Sequence, residues 1–141
     1  MAAVKGVNVT LHDAGGQGDN AIENGEVNIQ LEVWNDEYEA SALASGSTID
    51  IAKLPAGAKV QSVEVYHDAL GSSHLDIGDS NDTDRYTLAA VSVSAARSFK
   101  SDTADGKNYE VGTASGDDVI QLLTSGAAIT GTIKTETKFT R

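Results

Sequence analysis

The sequence contains no cysteine, a single proline and few aromatic residues. Without cysteine the chain can form no disulfide, no thiolate metal site and no cysteine nucleophile. Aromatic residues make up 5% of the 141 residues, so we expect a core of Val, Ile, Leu and Ala. A chain of this length fits one domain, and we expect residues 1–141 to form it.

Basic residues are also scarce. Lys and Arg number 10 against 21 Asp and Glu, which gives a formal net charge of −11. This balance argues against nucleic acid and against an anionic membrane surface as partners, because both require a basic surface. Long apolar runs are missing as well, so we expect neither a membrane-spanning helix nor a signal peptide.

Alternation of apolar and polar residues is the dominant pattern, and it predicts half-buried strands. The alternating stretches are residues 7–11, 27–33, 49–51, 63–65, 75–77, 109–111 and 131–140. Residues 88–97 are also interpreted as extended, because Val91 and Val93 alternate with serines. Residues 38–45 include helix-forming residues but span only two helical turns.

Turn signals separate these stretches, including the Pro55-Ala56-Gly57 turn and the polar loop at 78–84. Many short strands with frequent turns predict an all-β fold. We expect a single antiparallel β-sandwich, jelly-roll-like, with about eight or nine short strands. The terminal segments 3–11 and 131–141 are interpreted as charged edge strands or as extended arms that pair with a neighbouring subunit.

Histidine occurs at positions 12, 67 and 74, and His12 and His67 are each followed by an aspartate. Adjacent residues on a strand point to opposite faces, so these pairs are poorly placed to bond each other. No Gly-x-Ser-x-Gly motif supplies a nucleophile. His67 and His74 have no indicated third ligand for zinc. We therefore expect no enzyme, no catalytic residue and no metal site from the histidines.

The loop at 79–84 is the best candidate for a hard cation, because Asp79, Asn81 and Asp82 offer oxygen ligands. An EF-hand requires glycine at the sixth position and glutamate at the twelfth, where this chain has Asp84 and Ala90. The loop therefore does not match the EF-hand pattern. A polar turn whose side chains bond local backbone amides is favoured, with calcium in another loop geometry as the alternative.

Arg85 and Tyr86 follow that loop. Arg85 either pairs with a neighbouring acid and holds the loop to the body, or anchors an interface together with Tyr86. The basic residues near the two termini are further candidates for an interface: Lys5, Lys134, Lys138 and Arg141. Trp34 is interpreted as a residue at the rim of the core rather than a platform for a sugar ligand.

Several segments together resemble the head decoration or cement proteins of tailed bacteriophages. They are LPAGAKV at 54–60, HDALGSS at 67–73, LDIGDS at 75–80, DRY at 84–86, GKNYE at 106–110 and SGAAITGTI at 125–133. The resemblance covers about residues 48–135. These segments are turns and strand ends rather than active-site motifs. The N-terminal part of the chain resembles these decoration proteins less well.

The resemblance implies a β-sandwich that binds the outside of an icosahedral capsid and stabilises it. The implied partner is the major capsid protein, and the implied unit is a homo-oligomer, a dimer or a trimer. The location would be the outer capsid surface of the virion, after synthesis in the host cytoplasm, with no cofactor. The alternatives are a tail- or fibre-associated β-sandwich that contacts host glycans, and an enzyme or calcium-dependent adhesive domain.

Overall fold

The computed structural model describes residues 2–4, 31–112 and 118–141. Within these ranges the chain contains no helix, and therefore none that could cross a membrane. Its strands are β1 (Ala2–Val4), β2 (Leu31–Leu43), β3 (Thr48–Lys53), β4 (Lys59–His67), β5 (Ser73–Asp79), β6 (Val91–Ser92), β7 (Arg97–Lys100), β8 (Tyr109–Glu110), β9 (Val119–Gly126) and β10 (Ile129–Thr140). The predicted all-β class is confirmed.

The strands form two antiparallel sheets. The large sheet has the order β1-β2-β10-β4-β7, and β8 also pairs with β4. The small sheet has the order β3-β9-β5-β6. Placing β2-β10-β4-β7 in one sheet and β3-β9-β5-β6 in the other gives the strand order of a jelly roll. The predicted β-sandwich is confirmed, and its topology is the jelly roll that the turn spacing favoured.

The core lies between the inner faces of the two sheets and is mainly aliphatic, as the composition predicted. Val63 and Val65 of the large sheet and Ile77 and Leu122 of the small sheet are all completely buried. The largest fully buried side chain is that of Tyr86, in the loop after β5. With so few aromatic residues, one buried tyrosine fills the volume that several aliphatic side chains would otherwise need.

Strand β9 lies between β3 and β5 and is absent from the predicted set. Its inner face carries Ile120, Leu122 and Thr124, which are buried. Its other face carries Val119 and Leu123, which are half-buried. Because both faces of the strand carry apolar residues, the period-2 signal is weak here.

The alternation at 27–33 predicted Leu31 and Val33 on the buried face, and this is wrong for the described part. In β2 it is Glu32 that lies on the inner face, opposite Phe139 of β10, with 8% exposure. Arg141 neutralises the buried carboxylate from the end of the chain. The register with β10 therefore decides which face of β2 is buried, because a shift of one residue exchanges the two faces.

Residues 38–45 and 88–97 also differ from their sequence patterns. Strand β2 continues to Leu43, so the short helix-forming stretch is extended. Of residues 88–97, only Val91–Ser92 and the first residue of β7 are in strands, and the remainder is irregular. Tertiary pairing overrides local propensity in the first case.

The C-terminal segment 131–141 is neither an edge nor an arm. Strand β10 lies between β2 and β4 and pairs with both of them along most of its length. The predictions for residues 7–11, 27–30, His12 and Lys5 lie outside the described residues. The single domain over 1–141 and the N-terminal arm therefore stay predictions.

Gly78 allows the polar loop to fold back against the end of β5. It is buried, and a Cβ atom there would overlap the backbone of Asp82 and Thr83. That close approach lets Asp79 N–H donate to Asp82 O at 2.9 Å. Only glycine leaves room for this packing, because backbone atoms cannot move aside as a flexible side chain can.

We expect Gly78→Ala to lower the free energy of unfolding by about 3 kcal/mol, since it overpacks a closed site. The control is Gly46→Ala in the β2–β3 turn, where a Cβ would meet nothing within 4 Å but φ is +83°. Its cost should be about 1 kcal/mol, from backbone conformation alone. Urea unfolding measures both, and equal costs would show that the loop does not close on Gly78.

Candidate functional site

Arg85 is bound to the body of the sandwich through a buried carboxylate. Its Nε donates to Asp79 Oδ2 at 2.6 Å, and its Nη2 lies 3.4 Å from Oδ1. Asp79 is fully buried, whereas the Arg85 side chain is 16% exposed. Asp79 Oδ1 also accepts the backbone N–H groups of Asn81 and Asp82, each at 2.9 Å. One carboxylate therefore organises the loop at 79–84.

Aromatic rings complete this cluster. The Arg85 guanidinium lies over the ring of Tyr109, 3.9 Å from its centroid. Tyr109 meets Tyr86 edge to face with the centroids 6.3 Å apart. Stacking of a guanidinium on a tyrosine adds to the ion pair where both are shielded from water. Tyr86 is in the core, where it packs against Tyr109, and it presents no surface of its own.

This geometry favours the interpretation of the loop as a polar turn closed by Arg85. The Arg85 guanidinium binds the Asp79 carboxylate, which is the first ligand that a calcium ion in this loop would need. Among residues 2–4, 31–112 and 118–141, no group of three or more His, Asp or Glu side chains is arranged to hold a metal ion. His67 and His74 lie in different sheets, in β4 and β5.

Arg85→Ala should lower the free energy of unfolding by about 3 kcal/mol, because it leaves a buried carboxylate without its cation. Lys134→Ala is the matched control, since it removes an ion pair with Glu37 whose partners are 63% and 60% exposed. That loss should cost less than about 1 kcal/mol. Chemical denaturation of the two variants checks the difference, and a harmless Arg85→Ala would refute the anchoring role.

Two of the three predicted interface lysines, Lys134 and Lys138, lie on the outer, solvent-facing side of the large sheet. Lys134 and Lys138 point outward from β10, and each forms an ion pair, Lys134 with Glu37 at 3.6 Å and Lys138 with Glu136 at 3.3 Å. Lys100 of β7 bonds Glu64 at 3.3 Å in the same way. Opposite charges therefore alternate across this face, and each exposed pair contributes little to stability.

Tyr66 adds an aromatic side chain to this face and was not among the predicted site residues. It is 45% exposed, and its hydroxyl donates to Glu64 Oε1. This hydrogen bond lowers the pKa of Glu64 and raises the pKa of Tyr66. The signal was present in the sequence, because Val63 and Val65 point inward and so place Glu64 and Tyr66 outside.

A shallow depression of about 490 Å³ lies beside Tyr66. It is lined by Asn35, Asp36, Glu37, Tyr66, Lys134, Thr135 and Glu136. Aromatic residues are enriched at protein interfaces, where they bury a large area at small entropic cost. The outer face of the large sheet around this depression is therefore a candidate contact surface.

The remaining predicted site residues lie elsewhere. Arg141 donates through Nε and Nη2 to Glu32 Oε1, both at 2.6 Å, at the end of β10. That hydrogen-bonded pair raises the pKa of Arg141 further above its usual range. Lys5 lies outside the described residues. Of the six candidates, the structure brings Lys134 and Lys138 together on one surface, while Arg85 and Arg141 each close a contact within the domain.

Comparison with known proteins gives a match at the level of fold. The chain is similar to a chain of the cyanophage Pam1 capsid asymmetric unit, with a TM-score of 0.63 and 19% identity over 80% of this chain and 84% of that one. It is also similar to a chain of the capsid of Ralstonia phage GP4, with a TM-score of 0.55 and 16% identity over 79% and 83%. The likeness is one of fold. No protein-family model and no curated protein matches the sequence.

Proposed function

We propose that this chain is a structural protein of a bacteriophage particle that binds the outer surface of the icosahedral capsid and stabilises it, as a decoration or cement protein. One observation carries the proposal. The jelly roll is shared along most of its length with chains from two phage capsid structures. The resemblance of residues 48–135 to phage decoration proteins supports the same assignment from the sequence.

The partner we propose is the major capsid protein, which offers many copies of one site. Even a modest affinity per site is amplified when the binder is itself oligomeric, so a dimer or trimer of this chain fits the role. A net charge of −11 keeps such a protein soluble before assembly. We propose neither catalysis nor a cofactor, and we place the protein on the outside of the virion after synthesis in the host cytoplasm.

The outer face of the large sheet is the proposed contact surface. Tyr66 supplies an exposed aromatic anchor, and Lys134 and Lys138 supply charge next to it. Interfaces of this kind combine a few aromatic anchors with a charged rim.

The test adds purified protein to capsid shells that carry none of it. We expect saturable cosedimentation at a simple ratio to the major capsid protein, together with a higher melting temperature of the shells. We expect Tyr66→Ala to weaken binding by about tenfold, because it removes the aromatic anchor of the contact surface. Leu88→Ala is the control, because Leu88 is also a large exposed hydrophobic residue but does not line the depression beside Tyr66.

Two results would contradict the proposal. Shells that bind no protein at saturating concentration would remove the capsid role. Binding to isolated tails or to host glycans, with none to shells, would favour the alternative of a tail or fibre module. Equal losses for Tyr66→Ala and Leu88→Ala would leave the capsid role intact and move the contact surface away from the outer face.

A further inference from the structure

Along most of its length, strand β2 has one side that no strand of residues 2–4, 31–112 and 118–141 covers. Strand β1 pairs only with Leu31, Glu32 and Val33, although β2 continues to Leu43. Beyond Val33, β10 covers one side of β2, and no strand of the described ranges covers the other. A sheet edge of this length presents unpaired backbone groups that can accept a further strand.

The backbone of this edge is oriented for pairing. Glu37 N–H donates to the carboxylate of Asp36 at 2.8 Å, so this amide points away from β10. Donors on an antiparallel strand alternate between its two neighbours. The N–H groups of Asn35 and Glu39 therefore point to the same open side as that of Glu37. Only the central one of these three amides has a side-chain acceptor beside it in the described residues.

A groove runs between this edge and β3, the edge strand of the small sheet. One cavity of about 230 Å³ is lined by Asp36, Tyr38, Asp50 and Thr135 together with Glu37, Ile51 and Ile133. The hydroxyl of Thr135 is buried and has no hydrogen-bond partner among the described residues. Buried hydroxyls are normally bonded, so a polar group or an ordered water in this cavity can satisfy the hydroxyl of Thr135.

The negative charge along this edge indicates which kind of segment could bind there. Asp36, Glu37 and Asp50 line the groove, and Glu39 is exposed further along the same strand. The ion pair of Glu37 with Lys134 leaves both side chains more than half exposed. A second copy of this chain, paired edge to edge through β2, would oppose these carboxylates to one another. Like charges facing each other across strands are destabilising, so the edge disfavours its own copy and favours a basic strand.

We propose that the open edge of β2, residues 34–40, accepts an extended segment of a capsid subunit that carries Lys or Arg at alternate positions. This inference rests on the proposed function and names the partner's chemistry. Added strands gain affinity from main-chain hydrogen bonds and specificity from alternate side chains. The basic residues would lie on the outer face beside Glu37 and Glu39, and the alternate residues would face the groove beside Asp36 and Tyr38.

The position of the edge links it to the outer face. Asn35 and Glu37 line the depression that also holds Tyr66 and Lys134. A strand added beside β2 would extend the large sheet and widen this contact surface by one strand. The two surfaces would therefore act as one continuous interface.

Amide hydrogen exchange tests the proposal on the unmodified protein, free and bound to capsid shells. We expect exchange in residues 34–40 to slow by at least about tenfold on binding, because new main-chain bonds protect the outward amides. The peptide that contains β8, at the opposite side of the large sheet, serves as the internal reference. Slow exchange of residues 34–40 in the free protein at low concentration would mean that the edge is already occupied, which would overturn the proposal.

Charge reversal gives an independent readout. Glu37→Lys with Glu39→Lys should weaken shell binding by at least about tenfold through like-charge repulsion. The matched control is Asp105→Lys with Glu110→Lys, which changes the net charge equally on exposed residues near β8. The control should stay within about twofold of the unmodified protein, as rim charges far from a contact do.

The outcomes separate the two proposals. Shell binding with protection of residues 34–40 supports both. Shell binding without that protection overturns the added strand and leaves the capsid role standing. Absence of shell binding overturns the proposed function, and the added strand with it. Equal losses for the two charge-reversed variants would show that only the total charge matters, which also overturns the strand.

Discussion

The large sheet depends on the pairing of β10 with its two neighbours. This strand pairs with β2 at eleven positions and with β4 at eight, so the last part of the chain joins segments that are far apart in sequence. Its register fixes which residues of β2 are buried and places Lys134 and Lys138 on the outer face. Contacts of such long sequence separation form late and cooperatively. The sandwich is therefore complete only when its C-terminal strand is in place.

The sequence predicted the class, the layers and several strands, because β3, β4, β5 and β10 each alternate clearly. It did not predict β9, whose two faces both carry apolar residues. It also did not predict which face of β2 is buried, because the register with β10 determines this. For the site, the Arg85 ion pair was one of two open interpretations, since an arginine among acids needs a partner. Tyr66 and the open edge of β2 were missed, because each depends on what neighbouring strands leave exposed.

Under the proposed function, the surfaces of the sandwich carry the role of this chain. The loop at 79–84 is closed by Arg85 and Asp79, and so contributes rigidity at one end of the sandwich. The outer face of the large sheet and the open edge of β2 lie side by side on the same sheet. An acidic body of this kind would meet a basic segment on a capsid subunit through complementary charge and shape.

The copy number of this chain in purified virus particles tests the capsid role most directly. Quantitative mass spectrometry would compare it with the major capsid protein in the same sample. The account predicts one copy per capsid subunit, or a simple fraction of that number, because a shell protein must follow the capsid lattice. A handful of copies per particle, or none, would contradict it.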